Sequence, residues 1–401
     1  MILSDIATVF REIENPEKYN SDVLVDHYSL PAFDKGACHR VLSSQVKSQK
    51  QVVPENAILV SRLNPHIPRV WAPEIDPNIT NLASTEWSVL IPKGVERGFL
   101  HGFFESDYFK IALRAGVTGT SNSHQRVPVD HLMEIEIPEF DSAFTQRGTI
   151  LPNNVSQQLP RLRKLAAHLH TLATHTYNQI FHSSVHPENS RLRIFMPRKV
   201  AKITKLQRLS DFVSLQKGLS YESKQLSQSE GKLLMNLKSV KPTTDVLKTG
   251  FKRYIGDHRE RDIVKAGDIL IANTDITQFW EVLGHPAIVP FNTEGEILYT
   301  CDLSAVRRKS ECPIGNMTLF HLFNDPMSRA RCQGWATGTT VQRIPEETLL
   351  DIGIQLPSQP VLDELESKLE TIYRCIDKIY SLERKATEIV SKNANLMFPT
   401  Y

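Results

Sequence analysis

The sequence predicts an α+β chain: two similar mixed α/β modules, each followed by a long helix with a coiled-coil stripe. Three observations predict it. Residues 159–182 and 361–398 carry apolar side chains at alternating steps of three and four, the spacing of a helix seam. Each of these stretches follows a much longer one that reads as short strands and loops. Short matches recur between the two longer stretches, in the same order. The resulting boundaries are 1–150 for the first module, 151–186 for the central helix, 187–356 for the second module with its connector, and 357–401 for the terminal helix.

In the first module, residues 57–60 (AILV) and 87–91 (WSVLI) read as buried strands. Residues 133–137 (MEIEI) have the period-two pattern of a half-buried strand. Prolines at 31, 54, 65, 68, 73, 77 and 92 argue against long helices, with residues 104–113 as a short exception. Residues 140–158 read as a connector. The central helix follows, with Pro160 in its first turn and Leu162, Leu165, Leu169, Leu172 and Thr176 as its seam.

Residues 183–205 form a second connector broken by Pro187 and Pro197. Beyond it, residues 264–273 (VKAGDILIAN) read as a turn into a buried strand. Residues 287–290 and 303–306 are further strands, 317–323 a helix and 350–356 a strand. The terminal helix has the better seam: Leu362, Leu365, Leu369, Ile372, Ile376 and Ile379, weakening through Glu383, Ala386 and Val390. No Gly or Pro interrupts residues 361–398. At ~1.5 Å per residue the two helices would be about 35 Å and about 55 Å long.

The repeat rests on Leu3-Ser-Asp-Ile with Leu209-Ser-Asp-Phe and on Ala57-Ile-Leu-Val with Asp268-Ile-Leu-Ile. A third match pairs Thr118-Gly-Thr with Thr337-Gly-Thr, and a fourth pairs Gln125-Arg-Val-Pro with Gln342-Arg-Ile-Pro. Four matches in one order, with a helix after each module, indicate a duplication.

Composition is that of a globular protein, with 40% hydrophobic and 23% charged residues. No apolar run reaches the ~18 residues of a membrane span, and the first residues lack the pattern of a signal peptide. Five scattered cysteines without a C-x-x-C pair read as reduced thiols, and the expected location is the cytoplasm. A net charge of +2 does not by itself announce a nucleic-acid binder, although residues 217–265 are rich in Lys and Arg.

No phosphate-binding G-x-x-x-x-G-K-[ST], no G-x-G-x-x-G, no G-x-S-x-G and no H-E-x-x-H is present. Asp363 with Glu366 and Lys368 has a nuclease-like spacing but lies on the coiled coil, where solvated charges are expected. His168, His175 and His182 recur every seven residues, which places them about 10 Å apart and too far to share a metal ion. The glycine loops are more informative. T-G-T-S-N-S-H-Q-R and T-G-T-T-V-Q-R put hydroxyls, backbone N–H groups, an amide and a guanidinium on one turn. Such groups suit phosphate oxygens and base edges, or equally a tight self-bonded turn.

The chain resembles the specificity subunit of a type I restriction–modification enzyme. The resemblance is carried by Asp26-His-Tyr-Ser-Leu-Pro-Ala-Phe-Asp-Lys-Gly, Val46-Lys-Ser-Gln-Lys, Ile58-Leu-Val-Ser-Arg-Leu-Asn-Pro and Arg69-Val-Trp. In the second half it is carried by Gly267-Asp-Ile-Leu-Ile-Ala, Ala336-Thr-Gly-Thr-Thr-Val and Ile354-Gln-Leu-Pro. It spans nearly the whole chain; the connector at 140–158 departs from the family pattern.

The resemblance implies two target-recognition domains, each reading half of a bipartite DNA site, joined by two long antiparallel coiled-coil helices that fix the gap. It also implies double-stranded DNA and two modification (methyltransferase) subunits as partners, with restriction subunits joining through them. The chain itself would be non-catalytic, with no cofactor and no metal; S-adenosylmethionine and ATP would sit on partner subunits. Helices of this length match the ~34 Å of a DNA turn.

Within that frame Lys47, Lys50, Arg62, Arg69, Lys224, Lys252 and Arg253 are candidate phosphate contacts. His124, Arg126, Tyr221, Gln278 and Arg343 are candidate base readers, with Thr120, Asn122, Thr339 and Thr340 on the glycine loops. The alternatives are a protein–protein coiled-coil scaffold and a fused DNA methyltransferase/nuclease. The latter would need a cofactor loop.

Overall fold

The computed structural model describes residues 1–20, 22–117, 125–138, 142–182, 207–240, 251–275, 282–293, 295–338 and 341–400. The chain divides into two compact units, Met1–Ala166 with Ile379–Tyr401, and Ala167–Lys378. Among the described residues no helix is long and apolar enough to cross a membrane.

The first unit opens with α1 (Leu3–Ile6), one turn in which the Asp5 carboxylate accepts the Ile2 N–H at 2.9 Å. Its strands are β1 (Ala7–Phe10), β2 (Ile13–Glu14), β3 (Leu24–Tyr28), β4 (His39–Leu42), β5 (Lys50–Val52), β6 (Ile58–Ser61), β7 (Val70–Trp71), β8 (Thr80–Ala83) and β9 (Trp87–Pro92). They form a four-stranded antiparallel sheet, β1-β9-β6-β7, and a five-stranded sheet, β2-β5-β8-β3-β4, in which only β3 and β8 run parallel. After α2 (Leu30–Lys35), helices α3 (Arg97–Glu105) and α4 (Asp107–Ala115) add Phe99, Phe103, Phe104, Phe109 and Leu113 to a core shared with Ile58, Val60 and Leu90. One short helix was expected at 104–113. Ser106 divides it in two, its hydroxyl accepting the Phe109 N–H at 3.1 Å as an N-cap.

The first unit also holds α5 (Val129–Glu134) and the start of α6 (Ser142–Tyr177); the second takes the rest of α6 from Ala167, and its first strand is β10 (Gln207–Arg208). There follow α7 (Leu209–Phe212), β11 (Val213–Lys217), β12 (Leu226–Ser227), β13 (Lys232–Met235), β14 (Lys252–Tyr254), β15 (Ile263–Val264), β16 (Ile269–Ala272), β17 (Thr274–Asp275), β18 (Pro286–Ile288), β19 (Ile297–Tyr299) and β20 (Leu303–Arg308). Then come α8 (Asn316–Asn324), α9 (Pro326–Gly334), β21 (Gln342–Arg343), α10 (Glu346–Leu350), β22 (Gly353–Ile354) and α11 (Gln359–Met397).

The sheet β11-β20-β16-β18 has the same strand order and senses as β1-β9-β6-β7. The run β15-β19-β13-β14 repeats β5-β8-β3-β4, including its one parallel pair; the units differ in which edge takes the fifth strand, β2 or β12. The expected duplication is thus present in the internal plan of each unit. The matching Leu-Ser-Asp segments are α1 and α7, both single turns running straight into the first strand. The AILV and DILI runs are β6 and β16, buried throughout. Asn56 and Gly267 occupy the same left-handed turn before them, with φ of 62° and 82°, a conformation open to Gly and tolerated by Asn.

Three expectations are corrected. The MEIEI segment is not a strand: Pro128 opens α5, and only Ile135 and Ile137 keep the alternation, hydrogen-bonded to Leu3 and Met1. The 140–158 connector is helical from Ser142, with Pro152 and Pro160 inside α6. An interior proline costs about 3 kcal/mol. Pro152 is buried and packs against α3 at Gly102.

The third correction concerns the seam. Leu165 and Leu172 are 48% and 50% exposed, while Ala166 and Ala173 are buried between half-buried Leu162, Leu169 and Thr176. Helix separation depends on the side chains at the contact, and alanines permit a closer approach than leucines. On α11 Leu362, Leu365, Leu369, Ile376, Ile379 and Val390 of the expected seam are buried, while Ile372 is half-buried and its neighbour Tyr373 is buried instead. The strand expected at 350–356 shrinks to β22, paired with β10.

Each unit holds a piece of both long helices. In the first, Arg163 donates to Glu383 Oε1 at 2.5 Å, and Phe398 inserts its ring between Phe99 and Phe103. In the second, Tyr177 stacks on His321, whose Nε2 meets the Tyr373 hydroxyl at 3.1 Å. Burial pushes the His321 imidazole down to about 3, so it stays neutral. Glu366 accepts the N–H groups of Met317 and Thr318 at 2.8 and 2.9 Å, placing a carboxylate at the N-terminus of α8.

Candidate nucleic-acid interface

The QRVP and QRIP motifs have one structural meaning. In the first unit the Val127 N–H donates to the Arg62 carbonyl at 3.0 Å, just past β6. In the second the Ile344 N–H donates to the Asn273 carbonyl at 3.1 Å, just past β16. Val127 and Ile344 are buried anchors, and the prolines that follow cap α5 and α10. The intervening register leaves Arg126 and Arg343 exposed. Each unit thereby brings a glycine-loop arginine beside the exit of its central strand, through the bridge Leu63–Arg126 or the pairing of β17 with β21.

Around Arg126 the charge is concentrated. Burial pushes the Arg62 guanidinium below its ordinary pKa, and Arg126 and Arg11 push it further. Arg62 donates to the Thr85 carbonyl at 3.0 Å, while its Nε is buried and without a hydrogen-bond partner among the described residues. Like charges around a half-buried guanidinium favour the arrival of an anion. By register, Phe10 opposite Val89 corresponds to Gln216 opposite Ala305, so Lys217, Asn273 and Arg343 stand where Arg11, Arg62 and Arg126 do. Two of the three positions stay basic. Sequence reasoning missed Arg11 and Lys217; the signal was their position at the end of matched strands.

Asp275, fully buried, accepts the N–H groups of Val282 and Leu283 at 2.8 and 2.9 Å, closing the chain on either side of residues 276–281. A separate basic group lies on the edge of the β12–β14 sheet. Lys252 donates to the Tyr221 hydroxyl at 2.5 Å and sits 4.8 Å from its ring centroid; Arg253 donates to the Gly231 carbonyl, and exposed Lys224 pairs with Glu222.

Two candidate contacts are placed elsewhere than expected. Lys50 is buried, its ammonium held by the Lys47 carbonyl at 2.5 Å and the Ser48 hydroxyl at 2.8 Å, so it serves the fold of its own turn. Burial also lowers its pKa. Arg69 is spent on Asp34, in a two-point pair at 2.8 and 3.0 Å. Lys47 is exposed. Thr120, Asn122, His124, Gln278, Thr339 and Thr340 lie outside the described residues. Among the described residues no cluster of three or more His, Cys, Asp or Glu could hold a metal ion, and all five cysteines are free thiols.

No family model matches the sequence, and no curated protein matches it. Among solved structures the chain is similar to the type I restriction–modification S subunit from M. genitalium, at 10% identity and a TM-score of 0.56, covering 100% of this chain and 96% of that one. An HsdS subunit from Thermoanaerobacter tengcongensis matches at 15% identity and a TM-score of 0.35, over 99% and 95% of the two chains. A chain from a structure describing complex assembly and conformational transition of the type I R-M system matches at 15% and 0.33, over 99% and 94%. The first of these shows the fold: the chain is built on the plan of a type I restriction–modification S subunit.

Proposed function

We propose that the chain is the non-catalytic specificity subunit of a type I restriction–modification assembly, reading double-stranded DNA with both of its units. The observation that carries the reading is the duplicated loop mount, which presents an exposed arginine, Arg126 or Arg343, on each copy of one fold, with Arg11 and Arg62 beside the first. Residues 1–150 and 187–356 would act as target-recognition domains for the two halves of a bipartite site. The two long helices would run antiparallel between them. Within each unit the two helices meet, Arg163 on Glu383 in one and His170 on Tyr373 in the other. S-adenosylmethionine and ATP would be bound by partner subunits, in the cytoplasm, where free thiols persist.

The test is competition between duplexes. The full chain with methyltransferase subunits is expected to select one bipartite sequence from a random pool, to ignore single strands, and to direct methylation to adenines within that sequence. Equal binding to all duplexes would sink the proposal.

The methyltransferase partners need a surface, and α11 offers one within the first unit. Leu382, Ile389 and Leu396 are 47%, 53% and 74% exposed and recur every seven residues, with Lys385 and Lys392 between them. Such a stripe suits an amphipathic helix with acidic flanks. Leu382→Glu with Ile389→Glu is expected to abolish co-purification with methyltransferase subunits while thermal unfolding of the chain stays unchanged. Retained co-purification would move the docking surface elsewhere.

A further inference from the structure

We infer that Trp335 is a nucleobase-stacking residue, placed by the second unit alone at the edge of its reading loops. The inference rests on the DNA reading above and adds to it a contact that is neither ionic nor a hydrogen bond. Trp335 is 60% exposed and belongs to none of the apolar clusters of the core. It follows directly on α9, its N–H donating to the Arg331 carbonyl at 3.2 Å, and Arg331 is itself tied to Asp351. Two residues later Thr337 pairs with Arg343 in both directions, at 3.0 and 2.9 Å. Trp335 is therefore mounted on an anchored helix end, two residues before the backbone pair that carries exposed Arg343, with Val341 38% exposed.

The comparison between copies argues that the fold does not need this side chain. Matching Thr118-Gly-Thr to Thr337-Gly-Thr puts Gly116 at the position of Trp335. A Cβ on Gly116 would fall 1.9 Å from the His131 ring, so the first unit closes over that position. The second unit leaves it open and fills it with the largest side chain, turned to water. A flat apolar ring at the end of α9, with a cationic side chain on the strand pair that follows, suits a nucleotide, with the base for the ring and the phosphate for the guanidinium. Aromatic and other apolar side chains that meet DNA this way stack on, or wedge between, base steps.

The experiment uses the full chain and a duplex it selects, carrying 2-aminopurine at successive positions of one half-site. With Trp335 in place, one position is expected to change fluorescence on binding. Trp335→Ala should erase that change and weaken binding about 5- to 150-fold, with the slope of log K against log salt unaltered because no phosphate contact is lost. Trp335→Phe should retain most of both. Unchanged affinity and signal in Trp335→Ala would overturn the inference and leave the DNA reading standing, as would loss of a protein partner with DNA binding intact. Failure of the wild-type chain to select any duplex would overturn both.

Discussion

Replacing Arg11 and Arg126 together by alanine is expected to weaken duplex binding about 10- to 100-fold at physiological salt. The slope of log K against log salt should fall by about two if both guanidiniums meet phosphates. It should fall by about one, with relaxed sequence preference, if Arg126 reads a base edge. The reason is the positive charge that Arg11 and Arg126 add around half-buried Arg62, which an arriving anion would offset. Arg69→Ala supplies the contrast, because Arg69 is satisfied by Asp34 and should leave the slope alone. Equal losses from Arg69→Ala and from the double variant would show that the cluster is not the contact.

Phe398→Ala should destabilise the first unit by about 3–5 kcal/mol, the usual cost of emptying a large aromatic site. Phe398 is fully buried, with ring centroids 5.4 and 5.1 Å from Phe99 and Phe103, in the cluster that also holds Leu3, Ile58 and Leu132. For a unit of this size each kcal/mol moves the melting temperature by roughly 2–4 °C. Hydrogen exchange should show α3 amides losing protection while those of α8 keep theirs. An unchanged melt would mean that the end of α11 is not part of this core.

What could be read in the sequence was what local chemistry dictates. Leu-Ser-Asp turns, runs such as AILV and DILI, and the QR-Val/Ile-Pro anchor each impose one conformation on a few residues, so their repetition exposed the duplication. What could not be read depended on distant partners. Leucines were assigned to the α6 seam because pattern favours size, whereas Ala166 and Ala173 won through close approach. Residues 140–158 read as a connector because the α3 surface on which Pro152 is buried lies on another helix. Lys50 looked like a surface cation because nothing local announces the carbonyls that enclose it.

The first unit is assembled from two parts of the chain, Met1–Ala166 and Ile379–Tyr401, with the second unit wholly between them. This ordering has a consequence for biosynthesis. At the usual 5–20 residues per second, a ribosome needs roughly ten to fifty seconds to travel from Ala166 to Phe398. Through that interval the nascent first unit lacks the aromatic plug of its core, while the second can close as soon as its own residues emerge. The later-made unit is thus the earlier to mature, and chaperone binding during translation should concentrate on the Phe99–Phe109 surface.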